Sequence, residues 1–143
     1  MLITAIKQTS PGRLTVTLED EREIKTTLGV VTDLRLFSGR ELDEGGLEEL
    51  ERESRRALTR EKALEYLSRR AMSRKELEKK LTDKGCDEED AAYCAAWLSE
   101  RGLVDDASYA AAVARHYSAK GYGPGRIRSE LSRRGIDRDM WDE

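Results

Sequence analysis

Chemistry-bearing side chains are scarce in this sequence. Its 143 residues include one histidine, two cysteines and one phenylalanine, and aromatics make up only 6%. His116 has no second imidazole to work with and reads as a surface or satisfied structural histidine rather than a general base. Cys86 and Cys94 lack the paired spacing and histidine partners of a zinc site, so they read as small core or boundary residues. Two cysteines without an extracellular hallmark do not make a disulfide framework. No apolar run approaches the ~20 residues that cross a bilayer. The opening Met1-Leu2-Ile3-Thr4-Ala5-Ile6-Lys7 lacks the order of a secretion signal. These absences lead us to expect a cytoplasmic protein with no membrane partner, cofactor, metal or catalytic residues. Acidic pairs are plentiful, but their spacing picks out no acid/base couple. Gly121-Tyr122-Gly123-Pro124-Gly125 has neither the Lys-Ser/Thr ending nor the preceding strand of a phosphate-binding loop, and reads as a helix junction.

What the chain has in quantity is charge. Charged residues reach 38%, matching the hydrophobic fraction, and the net charge is −3. That average conceals blocks. Residues 60 to 84 hold nine Lys/Arg against five Asp/Glu, residues 87 to 106 seven acids against one Arg, and residues 115 to 134 six basic residues against one acid. Such blocks make stripes suited to a charged partner, or simply a solvated helix surface.

Two kinds of periodicity divide the chain. Leu14, Val16 and Leu18 alternate with Arg13, Thr15 and Thr17 after the Ser10-Pro11-Gly12 turn, the period of a half-buried strand. The preceding apolar Leu2, Ile3 and Ile6 and a third strand around Glu23–Thr26 flank it, and Leu28, Val31 and Leu34 suggest a short helix. Residues 47 to 57 read as a connector or lead-in. Beyond Leu58 the punctuation is helical, predicting helices at 59–70, 73–84, 88–101, 106–119 and 124–134. Thr59 is the expected cap of the first. Ser73-Arg74-Lys75-Glu76 has the capping-box form, Gly85 suits a left-handed C′ position, and Asp87-Glu88-Glu89-Asp90 supplies a cap and an acidic first turn.

The helical part repeats at an offset of fifty. Leu77, Leu81, Gly85 and Asp87 correspond to Ile127, Leu131, Gly135 and Asp137, while Ser73 corresponds to Gly123 followed by Pro124 at the favoured N1 position. Asp137–Trp141 would begin a third helix of the second unit. The fold class expected is α+β, mainly helical: a small mixed α/β module at 1–50, a linker and first three-helix repeat at 51–104, and a second, incomplete repeat at 105–143. Leu77, Leu81, Ile127 and Leu131 are expected to hold the repeats together.

Arg69, Arg70, Lys75, Lys79, Arg115, Arg126, Arg128 and Arg133 are the candidate partner contacts. Guanidinium forks can pair with carboxylates or phosphates, and Lys adds a less directional charge. The same residues could also be solubilising decoration.

At these helix junctions the sequence resembles the RecX family, regulators of the bacterial recombinase RecA. The resemblance rests on Ala63-Leu64-Glu65-Tyr66-Leu67-Ser68-Arg69-Arg70, Ser73–Leu81, Lys84-Gly85, Leu98 and Gly102-Leu103-Val104-Asp105-Asp106. It continues through Tyr109-Ala110, Lys120-Gly121-Tyr122-Gly123-Pro124 and Arg126–Ile136, and Gly39-Arg40-Glu41-Leu42 extends it toward the N-terminus. It implies a modular helical protein that binds the RecA nucleoprotein filament and dampens recombination, DNA repair and the SOS response without chemistry of its own. Single- or double-stranded DNA is implied as a further partner, and Arg115 falls on a common basic position. Family chains usually carry three three-helix repeats, so a shortened member or a truncated chain is implied here. The alternative reading is a helical module that acts directly on nucleic acid.

Overall fold

Strand alternation decides which face of the N-terminal sheet is buried. In the computed structural model, which describes residues 1–141, β1 (Ile3–Ser10), β2 (Arg13–Leu18) and β3 (Glu23–Thr27) form an antiparallel sheet in that order. Val16 pairs with Ile6 on one side and Ile24 on the other, and Val16 and Leu18 point into the core while Arg13 stays exposed. The chain turns directly from β3 into α1 (Leu28–Asp33), where the Thr27 hydroxyl accepts from the Val30 amide at 3.3 Å as an N-cap. The return segment runs back beside β1, the Ile3 amide donating to the Arg40 carbonyl at 2.9 Å.

The next helix, α2, spans Glu44–Arg69. It starts fifteen residues before the expected Thr59, which is no cap: its buried hydroxyl donates to the Arg55 carbonyl at 2.8 Å within the helix. Asp43 caps instead, its carboxylate accepting from the Gly46 amide at 2.6 Å. Leu47, Leu50, Ser54 and Ala57 make the inward stripe of this first half. Ser54 is polar but buried, and its hydroxyl donates to Thr26 of β3 at 2.9 Å. Such a bond removes the cost of burying either hydroxyl.

The chain separates into two units, Met1–Glu61 and Lys62–Glu143. In the second, the end of α2 joins α3 (Arg74–Asp83) and α4 (Glu88–Glu100), while α5 (Asp106–Ala119) and α6 (Pro124–Arg133) form the second repeat, followed by a single 3-10 turn at Arg138–Met140. The expected third helix of the second repeat begins as that turn; Asp142 and Glu143 lie outside the described residues. The capping box is present, with Ser73 accepting from the Glu76 amide and Glu76 accepting from the Ser73 amide, both at 3.1 Å. The offset of fifty survives folding: α3 and α6 begin and end fifty residues apart, and Gly85 and Gly135 both close their helices with positive φ, 94° and 75°.

Each repeat buries its own apolar set. Leu77 and Leu81 pack with Ala63, Met72, Ala91, Ala95, Leu98 and Val104, whereas Leu131, with half-buried Ile127, packs with Tyr109, Ala110, Val113 and Ile136. The four leucine and isoleucine side chains expected to join the repeats therefore fill separate cores.

Candidate functional site

What joins the repeats is polar. Ser73 is fully buried at the start of α3, and its hydroxyl makes a short bond to the carbonyl of Arg134, the residue that ends α6. Beside it the Arg74 amide donates to Asp106 at 2.9 Å, and the Lys75 ammonium meets Asp137 at 3.2 Å. The Arg134 side chain then turns back into its own repeat. Its guanidinium donates to the Tyr109 hydroxyl at 2.7 Å, the Tyr117 hydroxyl at 3.2 Å and Glu130 at 2.8 Å. Burial favours the neutral Tyr109 phenol, as does the nearby Glu76 carboxylate, so its pKa is raised although Arg134 opposes the shift. Glu76 also accepts from Arg70 at 2.8 Å, and a polar path runs from Tyr109 through Arg134 to Glu130.

Glu130 is the one acid between Asp106 and Asp137. Hydrogen bonds from Arg133 and Arg134 hold its carboxyl down at about 2. Burial works against the Arg134 cation, yet the bonds to Glu130, Tyr109 and Tyr117 outweigh it and raise its pKa. The cluster is thus permanently ionised at physiological pH.

The eight candidate basic residues fall into two groups. Five are paired on the surface: Arg69 with Glu65 at 2.7 Å, Arg70 with Glu76 at 2.8 Å, Lys75 with Asp137 at 3.2 Å, Lys79 with Asp83 at 3.0 Å and Arg133 with Glu130 at 2.6 Å. Lys79 and Arg69 remain 77% and 67% exposed in their pairs. The Arg69, Lys75 and Lys79 pairs are solvated on both sides and contribute about 0–1 kcal/mol each, so an incoming carboxylate or phosphate displaces them at little cost. Arg115, Arg126 and Arg128 are exposed and have no ion-pair partner among the described residues. All three are in the second repeat, where Arg128 borders the groove between α5 and α6.

Aromatic rings surround this basic surface. Tyr117 and Tyr122 stack with centroids 5.2 Å apart, and the Arg126 guanidinium lies 3.9 Å above the Tyr122 ring. His116 meets Tyr117 edge-on at 5.1 Å, and the Lys120 ammonium sits 5.8 Å from the same ring. The available signal was the run from Arg115 to Arg128, which interleaves two tyrosines with basic residues and contains no acid.

Among the described residues, no group of histidine, cysteine and carboxylate side chains has the geometry to hold a metal, and no helix is long and apolar enough to cross a membrane.

Comparison with known proteins places both repeats. The family model for the first three-helix domain of RecX matches residues 60–98, and that for the second three-helix domain matches residues 105–143. The chain is 40% identical over 84 residues to the regulatory protein RecX of Pseudomonas entomophila, covering 59% of this chain and 54% of that protein. It is 44% identical over 77 residues to its counterpart in Stenotrophomonas maltophilia, covering 54% and 47%. The chain spans about half the length of these curated relatives. A crystal structure of regulatory protein RecX superposes with a TM-score of 0.79 at 28% identity, covering 97% of this chain and 70% of that one. The RecX structure from Lactobacillus salivarius gives 0.57 at 30% identity, over 60% and 56%.

Proposed function

The chain belongs to the RecX family of regulatory proteins, and from that membership we propose that it binds the filament RecA forms on DNA and restrains recombination, repair and the SOS response. It acts by occupying the filament rather than by chemistry, in the cytoplasm where such filaments form. The likeness in fold over nearly the whole chain is the observation that carries this reading, because it extends through both the N-terminal sheet and the two repeats. The exposed basic side chains of the second repeat suit an acidic protein surface or the DNA within the filament. In either case Arg115, Arg126 and Arg128 would make interfacial pairs without first giving up intramolecular ones, and the charge complementarity would speed encounter.

The test is capture of RecA by the intact chain, with and without single-stranded DNA and a non-hydrolysable nucleotide, followed by strand exchange. Capture of the assembled filament with slowed strand exchange is expected. Absence of binding in every state would overturn the proposal.

A further inference from the structure

Two apolar faces of the helical unit stay open to solvent, and they differ in shape and in charge. One is the outward face of α4. Glu89, Ala92, Tyr93, Ala96 and Glu100 recur there at helical spacing, opposite the buried Ala91, Ala95 and Leu98. Tyr93 is 41% exposed and has alanines beside it, so its ring stands out as a knob, with half-buried Trp97 on its flank. Arg101 is the one cation between residues 87 and 106, and it folds back on its own helix. Its guanidinium lies 3.6 Å over the Trp97 ring and donates to the Trp97 carbonyl at 3.2 Å. The exposed carboxylates of Glu88, Glu89 and Glu100 are left without a partner among the described residues.

The other face is the groove between α5 and α6. Its volume, about 480 Å³, is that of a binding cleft rather than a packing gap. Ala107, Ala110, Ala111 and Ala114 of α5 line it together with Ile127 and Leu131 of α6, so small side chains leave room for a large one. Arg128 stands on its rim and Arg115 follows Ala114, both exposed and without an ion-pair partner among the described residues. The internal repeat shows what such a face accepts. Leu77 and Leu81, the counterparts of Ile127 and Leu131, are covered by a helix, α4.

We infer that this chain associates head to tail, the outward face of α4 in one copy seating in the α5–α6 groove of the next. Tyr93 fills the alanine-lined space, while Glu89 and Glu100 meet Arg115 and Arg128 on its rim. Each half supplies what the other lacks: a large ring against small residues, and unpaired acids against unpaired cations. A basic partner of another kind would answer the acids of α4 but leave the groove unfilled. The contact is heterologous, so each pair keeps one α4 face and one groove open for further copies. A contact of one helix face with one groove is small, which makes the association weak and sensitive to salt. It needs no recombinase and does not rest on the proposed regulatory function.

Sedimentation equilibrium of the intact chain at low salt, over a series of concentrations, is the test. The mass should rise past the dimer with concentration and fall toward the monomer in high salt. Tyr93→Ala should weaken association roughly ten-fold or more, as loss of a central aromatic anchor does. Charge reversal separates this contact from any other. Glu89→Lys with Glu100→Lys, or Arg115→Glu with Arg128→Glu, sets like charges against each other and should leave each variant monomeric. Mixed in equal amounts the two variants should associate again, because every α4 face then meets a groove of opposite charge. All four positions are exposed, and circular dichroism checks that the helices persist. The inference is overturned if the parent stays monomeric up to about 1 mM, if its mass stops at the dimer, or if either reversed variant associates like the parent. A mixture that stays monomeric overturns it too, as does a folded Tyr93→Ala variant that associates normally. If that variant associates normally and loses RecA capture, the α4 face is a contact for the recombinase and not for a second copy.

Discussion

Gly135→Ala tests whether the repeats are fastened where the structure places the joint. Gly135 has φ of 75°, and a Cβ added there would lie 2.8 Å from the Cβ of Lys75 and 3.2 Å from its Cδ. The nearest obstacle is thus the root of the Lys75 side chain, which cannot swing aside without moving α3. Left-handed backbone costs a non-glycine residue about 1–2 kcal/mol, and forcing a methyl into an occupied space about 1–3 kcal/mol. The smaller entropy of the unfolded alanine chain returns about 0.4–1 kcal/mol. The net expectation is a loss of about 1–4.5 kcal/mol. The internal repeat supplies the control. Gly85 occupies the corresponding position with φ of 94°, but nothing lies within 4 Å of its added Cβ. Gly85→Ala should therefore cost only the backbone part, about 1 kcal/mol or a little more. Hydrogen exchange of the α3 and α6 amides, with urea unfolding of the same variants, would measure both. A double-mutant cycle with Lys75→Gly isolates the contact, because removing that Cβ should recover about 1–2 kcal/mol of the Gly135→Ala loss. Equal costs at the two glycines, or no recovery in the double variant, would refute the joint.

Three further outcomes follow from the polar path. Tyr109→Phe leaves the ring in place but deprives Arg134 of its 2.7 Å acceptor, and should cost about 1–2 kcal/mol in urea unfolding; a neutral result would mean that water or Tyr117 replaces the bond. Glu130 has its carboxyl lowered from an ordinary 4.5 to about 2, so its contribution is complete above about 4.5 and is lost as pH falls toward 2. Glu130→Gln should flatten that acid limb of stability, and an unchanged pH profile would show that the pairing contributes nothing. Replacing Arg115, Arg126 and Arg128 together by Ala should leave thermal unfolding nearly unchanged while weakening filament capture; unchanged capture would make these cations solvent decoration.

The sequence was most legible where single residues punctuate helices. Ser73 with Glu76, Gly85 and Asp87 act locally, through bonds within a few residues, so their pattern survives whatever surrounds them. The start of α2 was obscured because Gly45-Gly46 mimics a linker and because Ser54, a polar residue, occupies the buried stripe through its bond to Thr26. That partner lies 28 residues away, beyond the reach of periodicity. The joint is hidden from the sequence for the same reason: its contacts, between Ser73 and Arg134 and between Lys75 and Asp137, span 61 and 62 residues. The basic candidates were visible as a class, but which of them remain uncommitted depends on carboxylates brought close by folding, and the Tyr122–Arg126 stack emerged only from geometry.

The fastening of one repeat to the next also has a polarity. The first repeat offers a hydroxyl at the entrance of its second helix, and the second repeat plugs its own helix exit into it. At the corresponding entrance the second repeat has Gly123, with no side chain to offer, and Gly125 stands where Lys75 does in the first. The socket is therefore used once and not passed on. A further module stacked on the second repeat would have to be secured by different contacts, so the two repeats form a matched pair rather than the first links of a uniform chain.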